Sequence, residues 1–443
     1  MKSKFLVISL LFYGLASAQD TAVHQQKKFS LHWQATLIPQ HHFNFSAPYT
    51  GNNSFITSEP TATSISTTLF FSYKPFKNTY FVFNPEAAGG KGLSKTQGIA
   101  GFPNGEVYRV GDPKLKPFVA RLYVEQRFPL TNKKVTVEDD LNQIAETTNK
   151  DYVSVLLGKF SLPDFFDDTQ ISNDPRTQFM NWSLFGNGAW DYPANTRGYT
   201  MGLVAQAFYK GFTLKYANTA VPMEANGAEL QFKGKDASGQ VIEFGVERFQ
   251  LFSKKKADHY HSLRIGFYSN KARMGNYTAS IKTGLQSFST PYIEDSRTYG
   301  RQKNGYYISL DNHIGKVHHF AKHSYNDGEN ESWAFTEIDK SAATGFRLDG
   351  SIWKRKNDAF GIAYVRNDLS DSHKQYLQNG GYGFIIGDGK LNYATEKIVE
   401  IYYSYNVWKK IFISPDYQYV VNPAYNKDRG PVHLLALRVH VEL

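Results

Sequence analysis

The chain has 443 residues, 50 Lys and Arg against 40 Asp and Glu, no cysteine, 6 Trp, 29 Tyr and 33 Phe. At 41% hydrophobic and 20% charged it is too apolar for a disordered chain; without cysteine it excludes a disulfide scaffold, a thiolate metal site and a cysteine nucleophile. No run of about 18 apolar residues follows the N-terminus and the mean hydropathy is −0.46, which excludes a spanning helix and leaves a closed β-barrel as the only route across a bilayer.

The N-terminus reads as an export signal, residues 1–18: Lys2 and Lys4, the apolar run Phe5 to Leu15, then Ala16, Ser17 and Ala18 before Gln19. Its removal lowers the formal charge from +10 to +8, spread along the chain, so nucleic acid is not the implied partner. An exported chain without cysteine suggests a bacterial envelope. Residues 19–28 form a short periplasmic leader, and 29–443 the barrel domain.

The stretch 86–114 is glycine-rich, running Glu86-Ala87-Ala88-Gly89-Gly90 and later Gly101-Phe102-Pro103-Asn104-Gly105-Glu106-Val107-Tyr108-Arg109, and reads as a folded-in loop. No Gly-Lys-Ser/Thr is present to make it a phosphate cradle. Then Ala120, Leu122, Val124 and Phe128 alternate with Arg121, Tyr123, Glu125 and Arg127, which places the latter four on a wet interior wall. A second loop spans 161–196.

The clearest strand is 198–209. Tyr199, Met201, Leu203, Ala205, Ala207 and Tyr209 share one apolar face, and its tyrosines stand roughly 33 Å apart along the strand, or about 25 Å in height once tilted. That matches an apolar band bounded by aromatics. Lys254-Lys255-Lys256 reads as a solvated turn, and 271–303 and 369–393 as further loops. His318, His319 and His323, with His41-His42, invite a metal site, but His319 and His323 would lie about 13 Å apart on a strand, so no metal or cofactor is assigned.

Val399, Ile401, Tyr403, Tyr405 and Val407 form another outer face, Lys409-Lys410 a tight turn, and Ile411 to Val421 the next strand. Leu435, Leu437, Val439, Val441 and Leu443 face away from Arg438, His440 and Glu442 in the last one. The segments number sixteen or seventeen; bacterial barrels are even, so the expected fold is an all-β, antiparallel transmembrane barrel of about 16 strands, with about 26 residues for each strand and its connection, the strands being joined by alternately short turns and long extracellular loops.

Three stretches in and flanking the second loop are distinctive: Gly158-Lys159-Phe160-Ser161-Leu162-Pro163-Asp164, Asp174-Pro175-Arg176, and Trp190-Asp191-Tyr192-Pro193 through Arg197-Gly198. With Asn270 to Gly275, Ala334-Phe335-Thr336-Glu337-Ile338-Asp339 and Asp416 through Pro431, they resemble the bacterial carbohydrate-selective porin family from about residue 80 onward. The resemblance implies an outer-membrane pore that passes sugars by diffusion, its long extracellular loops folded inward to narrow it, contacting outer-membrane lipid as a monomer or homo-oligomer. The chain departs from such barrels in ending on Leu443 rather than an aromatic residue.

A sugar needs hydrogen bonds around its rim and ring faces to stack on. Trp190, Tyr192 and Phe179 offer faces; Glu86, Arg109, Asp164, Asp174, Arg176, Asp191 and Arg197 offer fixed charges. Each of these loop residues also suits a purely loop-holding role, Asp capping a turn and Arg pinning it. Arg121, Tyr123, Glu125 and Arg127 are expected on the pore wall. The alternative function is a barrel that anchors or partners another envelope complex. No Gly-x-Ser-x-Gly elbow occurs, and an enzyme is not expected.

Overall fold

A computed structural model describes residues 27–107, 113–250 and 258–443. The expected signal and most of the leader, Arg109 and the triple-lysine turn lie outside the described residues.

Sixteen antiparallel strands form one closed barrel: β1 Phe29–His42, β2 Ala62–Phe76, β3 Thr79–Gly90, β4 Lys116–Pro129, β5 Tyr152–Phe160, β6 Thr200–Tyr209, β7 Phe212–Thr219, β8 Ser238–Phe249, β9 His259–Met274, β10 Thr298–Ile314, β11 Val317–Asn326, β12 Lys340–Asp349, β13 Ala359–Asp368, β14 Glu396–Trp408, β15 Ile411–Val421 and β16 Val432–Glu442. The ring shuts where β1 pairs with β16, Leu37 opposite Val439 and His41 opposite Leu435. Closure leaves no sheet edge unpaired in a solvent that offers no hydrogen bonds.

Burial is inverted relative to a water-soluble sheet. Leu69, Leu122, Val124, Leu157, Met201, Leu203, Leu435 and Leu437 are exposed, whereas Glu243, Arg264, Lys303, Lys322, Glu400 and Arg438 are buried on the inner face. Both follow from alternation, because the outer face meets lipid and the inner face meets docked loops. Among the described residues no helix is long and apolar enough to cross a membrane.

Connections alternate in length. One rim carries two-residue turns at 77–78, 210–211, 315–316 and 409–410; Lys210 and Gly211 both have positive φ, the tight-turn geometry that matches strand twist. The other rim carries 43–61, 91–115, 161–199, 220–237, 275–297, 327–339 and 369–395, the long loops that face outward in such barrels.

Several expectations are corrected. Glu86 lies inside β3, not in a loop. Ala120 is fully buried, because a bulge opposite Asn84 and Pro85 shifts the register of β4 by one residue there. Tyr199 precedes β6 and turns inward, so it bounds no lipid band. Two helices, Tyr277–Gln286 and Asp371–Gln378, stand in loops where none is expected, started by the Asn276 and Ser370 side chains accepting N–H bonds from Ala279 and His373.

Candidate functional site

The segment 161–199 is the long loop that fills the barrel, and inner-wall charges fix its backbone. Glu400 accepts N–H bonds from Met180 at 2.6 Å and Asn181 at 2.9 Å. Arg438 donates to the carbonyls of Pro175 at 2.9 Å and Gln178 at 2.6 Å. Lys322 donates to Asp167 at 3.0 Å, Ser172 O at 2.6 Å and Phe185 O at 3.1 Å. Neighbouring loop 91–115 is held by Glu396, which accepts from Ala100 at 2.9 Å and Gly101 at 2.7 Å. Such charge-assisted bonds contribute more than neutral ones and have fixed direction, so the loops are held in one arrangement.

These loops leave a cavity of about 400 Å³. Across it Arg121 grips Asp164 with both arms of its guanidinium, Nε to Oδ2 at 2.7 Å and Nη2 to Oδ1 at 2.6 Å. Beside that pair Arg176 donates to Glu106 at 2.6 Å, Glu86 at 2.9 Å and Thr68 at 2.9 Å. Burial works against the Arg176 charge, but the fields of Glu106 and Glu86 outweigh it and raise its pKa well above the usual range. Burial pushes the Glu106 carboxyl up, with Arg176 opposing. The Tyr199 hydroxyl reaches Glu86 at 3.4 Å, under the Arg121 guanidinium 5.6 Å from its ring centre. The Arg197 guanidinium lies over the Phe118 ring at 4.1 Å.

Of the residues singled out from sequence, the cavity brings together Glu86, Arg121, Asp164, Asp174, Arg176, Tyr192 and Arg197. Asp174 also folds its own turn, accepting from the Arg176 N–H at 2.9 Å and the Thr177 hydroxyl at 2.6 Å. Tyr123, Glu125 and Arg127 line a second, smaller cavity of about 80 Å³ nearer the short-turn rim. There Arg127 holds Glu125 through two bonds of 3.0 Å and lies over the Tyr80 ring at 4.3 Å.

Trp190, Asp191 and Phe179 do not line either cavity. The Trp190 ring is 2% exposed and packs on Tyr307 at 4.8 Å and Tyr192 at 5.2 Å. Asp191 clasps the next loop, accepting N–H bonds from Trp333 at 2.7 Å, Ala334 at 3.0 Å and Phe335 at 3.2 Å. Phe179 is buried against Tyr402 and Phe320. Trp182, Phe335, Phe102 and Glu106 line the cavity instead; Phe102, Glu106 and Phe335 sit within stretches whose composition marks them, whereas nothing in the sequence flags Trp182.

The Ala334 to Asp339 stretch is a second clasp. Glu337 accepts from Phe384 at 3.1 Å, Ile385 at 2.8 Å and Ile386 at 2.9 Å. Asp339 pairs with His373 and accepts from Ser370, both at 2.9 Å. Burial pushes Asp339 up, but His373 and Lys303 outweigh it and hold the carboxyl down to about 2. Among the described residues no three metal-ligating side chains converge: His318 bonds His313 at 3.0 Å inside the barrel, while His319 bonds Thr344 at 2.9 Å outside it.

A sixteen-stranded closed barrel with an apolar belt, one rim of long loops and a charged, loop-narrowed interior defines an outer-membrane diffusion channel. Residues 54–443 match the family described as carbohydrate-selective porin, OprB family, and the chain belongs to it. A high-pH structure of Pseudomonas putida OprB superposes with a TM-score of 0.68 at 13% identity, covering 94% of each chain. Salmonella typhi OmpF, solved in complex with daunomycin, gives 0.51 at 9% identity over 94% of this chain and 98% of that one. At these identities the likeness is one of fold. Among curated proteins no sequence relative matches. The chain is therefore a porin of the outer membrane, and its family and fold are those of a channel rather than an enzyme.

Proposed function

We propose that mono- and oligosaccharides diffuse through the loop-lined cavity, with Arg121, Arg176, Arg197, Glu86, Asp164 and Tyr192 acting as successive weak contacts. One observation carries this reading: three arginines face four carboxylates around a space that also presents Phe102, Trp182, Tyr192, Tyr199 and Phe335. Charges that neutralise one another give no strong net field to attract an ion, yet leave dense donors and acceptors for hydroxyls and ring faces for stacking. Several weak sites in sequence conduct better than one tight site, since a tightly held sugar does not leave. The exposed apolar belt supports direct contact with outer-membrane lipid.

Proteoliposome swelling tests the reading. Wild-type barrels should admit sugars at rates that fall with chain length, and Arg121→Ala should alter the ranking among sugars. Rates set by solute size alone, identical in both proteins, would count against specific contacts.

A further inference from the structure

We propose that the connection between β4 and β5, residues 130–151, is a second selectivity element in series with the outer loops, and that Leu141 and Asn142 at its tip contact the permeating sugar on the periplasmic side. This rests on the sugar-diffusion reading above. The connection belongs to the rim of short turns, which is periplasmic in outer-membrane barrels. Where its neighbours at 77–78 and 210–211 need two residues, this one builds a ribbon of its own, Lys134–Val137 paired with Glu146–Asn149.

The ribbon folds into the lumen. Glu146 bonds Lys74 of β2 and the Tyr80 hydroxyl of β3. Asp139 meets Lys27 at 2.8 Å and His32 of β1 at 3.4 Å. Asn142 accepts from the Asn84 side chain of β3 at 2.8 Å. Asn84 is the cross-strand neighbour of Arg121, so the tip stops directly beneath the Arg121–Asp164 grip. Ile144 behind the tip is buried.

The tip stands between two spaces. Leu141 and Asn142 line the large cavity with Arg176 and Glu106. Asn142 and Ile144 line the smaller one with Glu125 and Arg127. A solute leaving the outer constriction therefore meets Leu141, an apolar surface for a ring face, and the Asn142 amide. The Asn142 Oδ1 is occupied by Asn84, and among the described residues no protein acceptor takes its side-chain N–H groups, which leaves them for a hydroxyl. Asn142 adopts a left-handed backbone, φ 55°, a conformation that Asn tolerates better than most residues, so the tip has a specified shape.

The test is single-channel recording with sugar added to one side at a time, comparing wild type, Asn142→Ala, Leu141→Ala, and a variant in which residues 131–150 are replaced by a two-residue Asn-Gly turn. Asn142→Ala should weaken sugar-dependent closure about fivefold, the loss expected for one hydrogen bond to ligand, with ionic conductance retained. The short-turn variant should raise ionic conductance about twofold or more, as removal of a constriction requires. Sugar closure unchanged in both point variants would overturn the sugar contact, and conductance unchanged in the short-turn variant would overturn the second constriction. Wild-type channels that conduct ions but ignore sugar would instead refute the sugar-diffusion reading, while a conductance rise in the short-turn variant would still support the constriction. Should the replacement fail to assemble, the point variants decide the proposal through sugar closure.

Discussion

Replacing Arg176 by Met would remove the cation that Glu86 and Glu106 share. The guanidinium makes three side-chain bonds of 2.6–2.9 Å and its side chain is 12% exposed. Breaking a buried pair from one side costs about 3–5 kcal/mol, because the partner charge is left without compensation. That cost falls on the docking of loops 91–115 and 161–199 rather than on the sixteen-stranded ring, whose ladders Arg176 does not touch. The cavity would keep two arginines against four carboxylates. Zero-current potential under a KCl gradient reads the charge change, and limited proteolysis of loop 161–199 reads the undocking. Arg176→Met should shift the channel toward cations and expose the loop to cleavage. Arg176→Lys should keep most of the ion selectivity but not the docking, since an ammonium lacks the fork. Unchanged potential and unchanged cleavage in Arg176→Met would refute the role assigned to this side chain.

Acid should loosen the clasp at Asp339. Its carboxyl is held below the ordinary 3.8 at about 2, so it contributes about 2 kcal/mol that is present above pH 4 and lost as pH falls toward 2. Burial raises Glu337, so protonation there offsets part of that loss; protection of the 370–378 amides, taken relative to intrinsic exchange rates at pH 5 and pH 2.5, reads the balance, and Asp339→Asn should abolish the loss of protection in acid, leaving only the opposite contribution of Glu337. In Gly383→Ala the new Cβ would fall 1.7 Å from the Glu337 carboxylate, displacing it from three N–H groups and costing about 1.5–3 kcal/mol for each bond lost; the amides of Phe384, Ile385 and Ile386 should then exchange faster. Trp190→Ala should open a void beneath the constriction and cost about 3–5 kcal/mol of loop packing, seen as noisier, larger currents rather than as loss of one sugar contact.

The barrel was legible because alternation is local: the outward set Met201, Leu203 and Tyr209 is exposed and the Lys409-Lys410 turn joins β14 to β15. Alternation fails where register breaks, as at Ala120, and where a strand ends, as at Tyr199. Glu86 was misplaced because the glycines after it resemble a loop while β3 continues to Gly90. The constriction was legible in part. Asp164, Arg176 and Arg197 announce themselves as charges within Pro- and Gly-punctuated loops, but their partners lie far off in sequence. Glu400 holds Met180 from 220 positions away, and no spacing pattern encodes that. Asp191 and Trp190 carried two readings; their bonds and packing are those of loop-holding. The inward course of 130–151 had no sequence signal, since a turn that enters the lumen and one that hangs outside share the same polar composition.

The most direct test is single-channel current through the reconstituted, demonstrably folded barrel during titration with mono- and oligosaccharides, for wild type and Arg121→Ala. Reversible, concentration-dependent closure by neutral sugar, weakened by Arg121→Ala, is the result expected of a sugar path lined by the Arg121–Asp164 grip. A conducting barrel indifferent to every sugar, or a folded barrel that conducts nothing, would contradict it.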